Sequence, residues 1–211
     1  AKRKEDTRRA LARFRESALA PRSIRFVEAA RVTVTGEPLD AEGHRWPICI
    51  IKAGVSLNKG PSGKPLFYTA DALRAAAKLF ERAKSYGDHA SKWDEHNLPE
   101  RSVSDLVGFI SEVVFDEASQ ELRGVWNIVD PATHARVLNA KKLGGLDIFG
   151  FSINASGDTT LSADGQYELV TTISPNALRS VDHVTEPAAG GAFLTKLAAS
   201  VRAGTTGGGC M

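Results

Sequence analysis

Two stretches late in the chain constrain the fold most. Gly150-Phe151-Ser152-Ile153-Asn154-Ala155 and Ser180-Val181-Asp182-His183-Val184-Thr185-Glu186-Pro187-Ala188-Ala189-Gly190-Gly191 both read as β-strands. Each places small polar groups inside an apolar run, where packing alone would favour Val or Ile. A serine on one strand and an acid on a later one can then meet across a sheet. Upstream, His89 in Tyr86-Gly87-Asp88-His89-Ala90-Ser91 supplies the further group that a serine nucleophile needs.

The rest of the chain supports a β-rich domain. Hydrophobic content of 42% provides enough material for a core without a disulfide or metal staple. Strands are expected at 47–51, 106–115, 121–129, 147–155, 166–173 and 178–185, with a β pattern also within 23–35. The turn Asp116-Glu117-Ala118-Ser119 predicts a hairpin, and Asp164-Gly165 marks another turn. Helices are expected over about 2–19, over 70–85 capped by Thr69, from Asp130-Pro131 to Lys142, and over 192–201. Residues 54–66 and 88–101 read as long loops. The expected class is mostly β with peripheral helices, an antiparallel β-barrel or closed sheet. The expected organisation is a basic N-terminal helix or arm over 1–20, one barrel domain over 21–202 and a Gly-rich tail over 203–211.

A net charge of +2 is too small to argue for nucleic acid. The two cysteines do not form a zinc or disulfide pattern, and Cys49 in Ile48-Cys49-Ile50-Ile51 reads as a buried free thiol. No apolar run reaches membrane-spanning length and no secretory signal is read, so the expectation is a protein used in a reducing cytoplasm. No P-loop, dinucleotide fingerprint or metal-ligand pair is present. No cofactor and no metal are expected.

Each group in the constellation has two readings. Ser152 is a nucleophile on a rigid strand beside small neighbours, or a strand serine bonding its surroundings. His89 is a general base, with His96 its rival, or a surface histidine. His44 and His134 read as surface residues. Asp182 orients and charge-stabilises a histidine, or pairs with an arginine such as Arg179. His183 has the opposite parity on its strand and points to the other face. Ser180 shares the Asp182 face and is a weaker orienting group; Glu186, at the strand end, is poorer still. Ala188-Ala189-Gly190-Gly191 offers backbone amides for an oxyanion, or is a plain turn.

Taken in order, these stretches resemble the prohead maturation proteases of tailed bacteriophages, which in turn resemble the herpesvirus assemblins. The likeness is carried by Tyr86-Gly87-Asp88-His89, by Arg101-Ser102-Val103-Ser104-Asp105-Leu106-Val107-Gly108-Phe109-Ile110, by Ile148-Phe149-Gly150-Phe151-Ser152-Ile153 and by the run from Ser180 to Gly191. The resemblance implies a closed antiparallel barrel of the assemblin type and a serine endopeptidase. It implies the order base, nucleophile, third member: His89, Ser152, then Asp182 or Ser180. Assemblins carry a second histidine at the third position and many phage relatives a glutamate. Alignment puts that position at Ser180, while Asp182 supplies the charge on the same face. Ala189, Gly190 and Gly191 match the oxyanion loop. The implied role is trimming of scaffold and major capsid protein inside the immature prohead, in the host cytoplasm, with self-cleavage and self-association. No membrane and no specific nucleic acid partner are implied. The competing expectation is a non-catalytic assembly or scaffold protein that keeps the barrel for docking. An esterase is a distant third, since the nucleophile-elbow pattern is missing.

Overall fold

The computed structural model describes residues 24–28 (backbone), 36–90, 101–175 and 179–194. The expected N-terminal helix, His96, most of the 192–201 segment and the tail with Cys210 lie outside them.

Among the described residues the strands are β1 (Ile24–Glu28), β2 (Arg45–Lys52), β3 (Gly54–Lys59), β4 (Pro65–Tyr68), β5 (Lys84–Tyr86), β6 (Leu106–Asp116), β7 (Glu121–Ile128), β8 (Gly150–Leu161), β9 (Glu168–Ile173), β10 (Ser180–Val184) and β11 (Ala192–Phe193). They form one sheet in the order β11-β2-β7-β6-β5-β10-β8-β9-β4-β3, with β1 paired to β8. The expectation of a closed, antiparallel barrel needs correction on both counts. The ladder is an open, curled path from β11 to β3, and two of its pairs, β5–β10 and β4–β9, are parallel. Two-residue β11 is too short to form a ladder with β8. A single bridge between Phe151 and Gly191 ties that end back.

Local signals explain several elements. Helix α1 (Ala70–Ala76) starts where Thr69 Oγ1 accepts from the Ala72 amide. It yields to a 3-10 turn over Ala77–Phe80, shorter than the expected 70–85, because Lys84 is drawn into the parallel pair with Ser180. Helix α2 (Pro131–Lys142) follows the expected bounds, with Asp130 accepting from the Thr133 amide at 2.7 Å. The β6–β7 hairpin closes on Asp116, whose carboxylate accepts from the Ala118 and Ser119 amides.

Two expectations fail for non-local reasons. Residues 54–66 are not a loop but the β3–β4 hairpin. Its Gly- and Pro-rich tip is held by Glu168, which accepts from the Ser62 amide and from the Ser62 and Thr159 hydroxyls. Burial pushes the Glu168 carboxyl up, but those hydrogen bonds outweigh it and hold it below the usual carboxylate range. Residues 192–193 are strand rather than helix, because Ala192 and Phe193 pair with Cys49 and Ile48.

Aromatic residues fill the core. Trp126 and Phe151 meet edge to face at 5.1 Å, Phe151 and Phe193 at 5.2 Å, and Phe193 and Trp46 at 5.3 Å. Phe151, Ile153 and Val181 all belong to this core, so Ser152, Asn154, Ser180 and Asp182 face the other side of the sheet. Cys49 is a buried free thiol, and burial raises its pKa far above the ordinary thiol range. Among the described residues no helix is long and apolar enough to cross a membrane.

Candidate active site

Strands β8 and β10 run antiparallel with Asp182 directly opposite Ser152 and Ser180 opposite Asn154. Directly opposed residues on one face have Cβ atoms about 5 Å apart. The two groups singled out from sequence are therefore nearest neighbours on the sheet. Both are fully buried, and the Ser152 hydroxyl has no hydrogen-bond partner.

His89 reaches this face from the end of β5. Gly87 bridges His183, and the Asp88 amide donates to the His183 carbonyl at 2.9 Å. Asp88 sits at φ 68°, a left-handed conformation that non-glycine residues adopt only when their surroundings impose it. Its side chain accepts from the His89 amide at 2.9 Å. The kink turns His89 towards β10, where its Nδ1 donates to Asp182 Oδ2 at 2.9 Å. Because a carboxylate only accepts, this bond places a proton on Nδ1; in a neutral imidazole the lone pair is then on Nε2. No hydrogen bond joins His89 to Ser180 among the described residues.

Arg101 was not singled out from sequence, although it opens one of the motif stretches. Its Nη1 lies 3.4 Å from Asp182 Oδ2, its Nη2 donates to the Asp88 carbonyl at 3.1 Å, and its guanidinium stacks over the Tyr86 ring at 4.3 Å. Arg179, the example of an arginine partner in the alternative reading of Asp182, donates to the carbonyls of Leu79, Ser174 and Pro175. Glu186 is exposed. His44 and His134 stack on each other at 4.0 Å, and neither bonds Ser152 or Asp182.

His183 follows its parity. It lies on the core side, stacked on Trp126 and against Phe149, each at 4.8 Å. Burial, reinforced by the Arg136 charge and only partly opposed by Asp88, pushes its pKa down to about 4. An unfolded histidine titrates near 6.5, so the unfolded chain binds more protons between the two values and stability falls as pH drops through that window. The expected loss between pH 7 and pH 4 is about 3 kcal/mol, with no change above pH 7. Urea unfolding of wild type and His183→Phe across this range checks it. The pH dependence of the variant should be smaller by that amount, and equal slopes would refute the assignment.

The turn after β10 is pinned beside Ser152. The Ala188 carbonyl accepts from the Leu57 amide at 3.3 Å, Ala189 from Lys52 at 2.9 Å, and Gly191 from Phe151 at 3.2 Å. A Cβ on Gly191 would overlap the Phe151 carbonyl, so only glycine permits this approach. Gly190 sits at φ 91°, again a glycine conformation. A cleft of about 620 Å³ opens near the ends of β5 and β10, lined in part by Gly87, Asp88, Arg136, Phe149 and His183; Ser152, His89 and Asp182 do not line it. Among the described residues no group of three or more His, Cys, Asp or Glu side chains is arranged to hold a metal.

No protein-family model matches the chain, and no curated protein matches it. One of the solved structures that do match is the bacteriophage T4 capsid assembly protease, gp21. It is 14% identical, with a TM-score of 0.49, over 82% of this chain and 99% of that one. The functional reading therefore rests on the residues of the site itself.

Proposed function

We propose that the protein is a serine endopeptidase of phage prohead maturation, which trims scaffold and major capsid protein segments. One observation carries the catalytic part: a histidine bonded through Nδ1 to a buried aspartate that stands directly opposite a serine in the ladder. The capsid role is supported by the motif resemblance at residues 86–89, 101–110, 148–153 and 180–191.

In this reading His89 Nε2 takes the proton of Ser152 Oγ as that oxygen attacks the peptide carbonyl. Asp182 holds the Nδ1 proton and stabilises the imidazolium that forms. Amides of the Ala189-Gly190-Gly191 turn face the oxyanion. Collapse of the tetrahedral adduct passes the proton from His89 to the leaving amine and leaves an acyl group on Ser152. Water, activated by the same histidine, then releases it. The Ser152 hydroxyl is buried and unpaired without substrate. Peptide binding must expose it and bring His89 Nε2 into reach, as catalytic hydrogen bonds often tighten only with substrate bound.

The decisive experiment is incubation with its own capsid protein and scaffold, with fragments read by mass spectrometry. Fragments of both substrates support the reading; intact substrates leave the docking-module alternative. Self-association and self-cleavage belong to the same proposal. The segment from Ala198 to Met211 is rich in Ala, Gly and Thr, whose small side chains suit an extended peptide substrate. Intact mass of purified wild type is expected to fall over time by loss of a terminal segment. The Ser152→Ala protein should keep its mass. Equal masses in both, under conditions where wild type cuts capsid protein, would exclude self-cleavage within this chain.

A further inference from the structure

We infer that Arg101 is a positioning residue of this site, clamping His89 from two sides. The inference rests on the proposed peptidase reading. The Asp182 carboxylate is buried completely, yet among the described residues its Oδ1 has no partner and its Oδ2 receives only His89 and Arg101. A buried carboxylate with one neutral donor is poorly compensated, and the guanidinium is the only cation hydrogen-bonded to it among the described residues. The same guanidinium donates through Nη2 to the carbonyl of Asp88, the residue immediately before His89. Asp88 is held in its left-handed conformation by three bonds: its amide to His183, its side chain from the His89 amide, and its carbonyl from Arg101.

Arg101 thus fixes both ends of the critical hydrogen bond. One nitrogen sits on the acceptor of the His89 proton, and the other sits on the backbone that carries His89. A planar fork with several donors performs both tasks at once, and the Tyr86 ring under it sets its plane. A lysine has one compact ammonium and reaches only one of the two points. Among the described residues its contacts are with Asp182, the Asp88 carbonyl and Tyr86 and not with Ser152 or the His89 ring, so its loss should reduce turnover and leave substrate binding nearly intact.

The test measures kcat and KM separately for wild type, Arg101→Ala, Arg101→Lys and Ser152→Ala, on one capsid-derived peptide. For Arg101→Ala, kcat should fall on the order of a hundredfold, as misplacement of a catalytic group by about 1 Å does. KM should stay within about twofold, since uniform binding is untouched. Millimolar guanidinium or methylguanidinium should restore part of the lost kcat, which a merely structural defect would not allow. Arg101→Lys should fold and recover the charge, yet remain about tenfold below wild type because the second contact is missing. Wild-type kcat in a folded Arg101→Ala overturns the inference. If Arg101→Ala does not fold, Arg101→Lys decides, and wild-type kcat there overturns the two-point clamp. Cleavage that persists in Ser152→Ala would instead refute the peptidase reading itself.

Discussion

Replacing Ser152 with alanine is expected to abolish peptide cleavage and leave the fold intact. The nucleophile oxygen is the one atom the proposed reaction cannot replace, and loss of such a serine costs on the order of 10⁶-fold in kcat. The structural cost runs the other way. Ser152 Oγ is buried and makes no hydrogen bond, so removing it leaves no partner unsatisfied. Stability should be unchanged or rise by up to about 1 kcal/mol, because a buried hydroxyl without a partner is itself unfavourable. Parallel thermal melts and cleavage of capsid protein check both halves. A Ser152→Ala protein that cuts at the wild-type rate would remove the serine from the mechanism. A variant that is inactive but also unfolded would mean the serine supports the fold.

The parts of this site legible in the sequence are those governed by local periodicity. Strand alternation alone put Ser180 and Asp182 on one face and His183 on the other, and the structure has His183 against Trp126 and Asp182 against His89. The Asp130-Pro131 start of α2 and the Asp116 turn are likewise set by side chains within three residues of the amides they cap. What was not legible depends on register and on distant partners. That Ser152 faces Asp182 rather than Ser180 is a property of how β8 and β10 are offset, and a strand sequence does not state its offset. The β3–β4 hairpin escaped because Glu168, far along the chain, organises its tip. Arg101 escaped because an arginine entering a strand is ordinary until the fold brings Asp182 and the Asp88 carbonyl to its two nitrogens. Closure of the barrel was expected from the run of strands as well as from the family likeness; it depends on the hydrogen bonds of a two-residue strand, which no local pattern reports.

Asp182→Asn should be nearly as damaging as loss of the serine, while Ser180→Ala should be close to neutral. Asparagine fits the space of aspartate, but its amide can present a donor where the carboxylate only accepted. His89 Nδ1 would then turn acceptor, and the imidazole proton would move to Nε2, the nitrogen that must receive the Ser152 proton. A triad forced into the wrong tautomer loses on the order of 10⁴-fold in kcat with its geometry intact. The substitution also leaves Arg101 beside a neutral group in a buried setting. Some loss of stability is therefore expected alongside the kinetic effect, and a melt separates the two. Ser180 lies opposite Asn154 and makes no hydrogen bond with His89, so its hydroxyl has no route to the tautomer. Its removal should change kcat by less than about tenfold, the effect of losing one neutral hydrogen bond at most. Steady-state kinetics of the two variants, on one peptide substrate, decide between the two third members left open by the sequence. An inactive Ser180→Ala beside an active Asp182→Asn would transfer the role to Ser180. It would also require His89 to swing away from Asp182 when substrate binds.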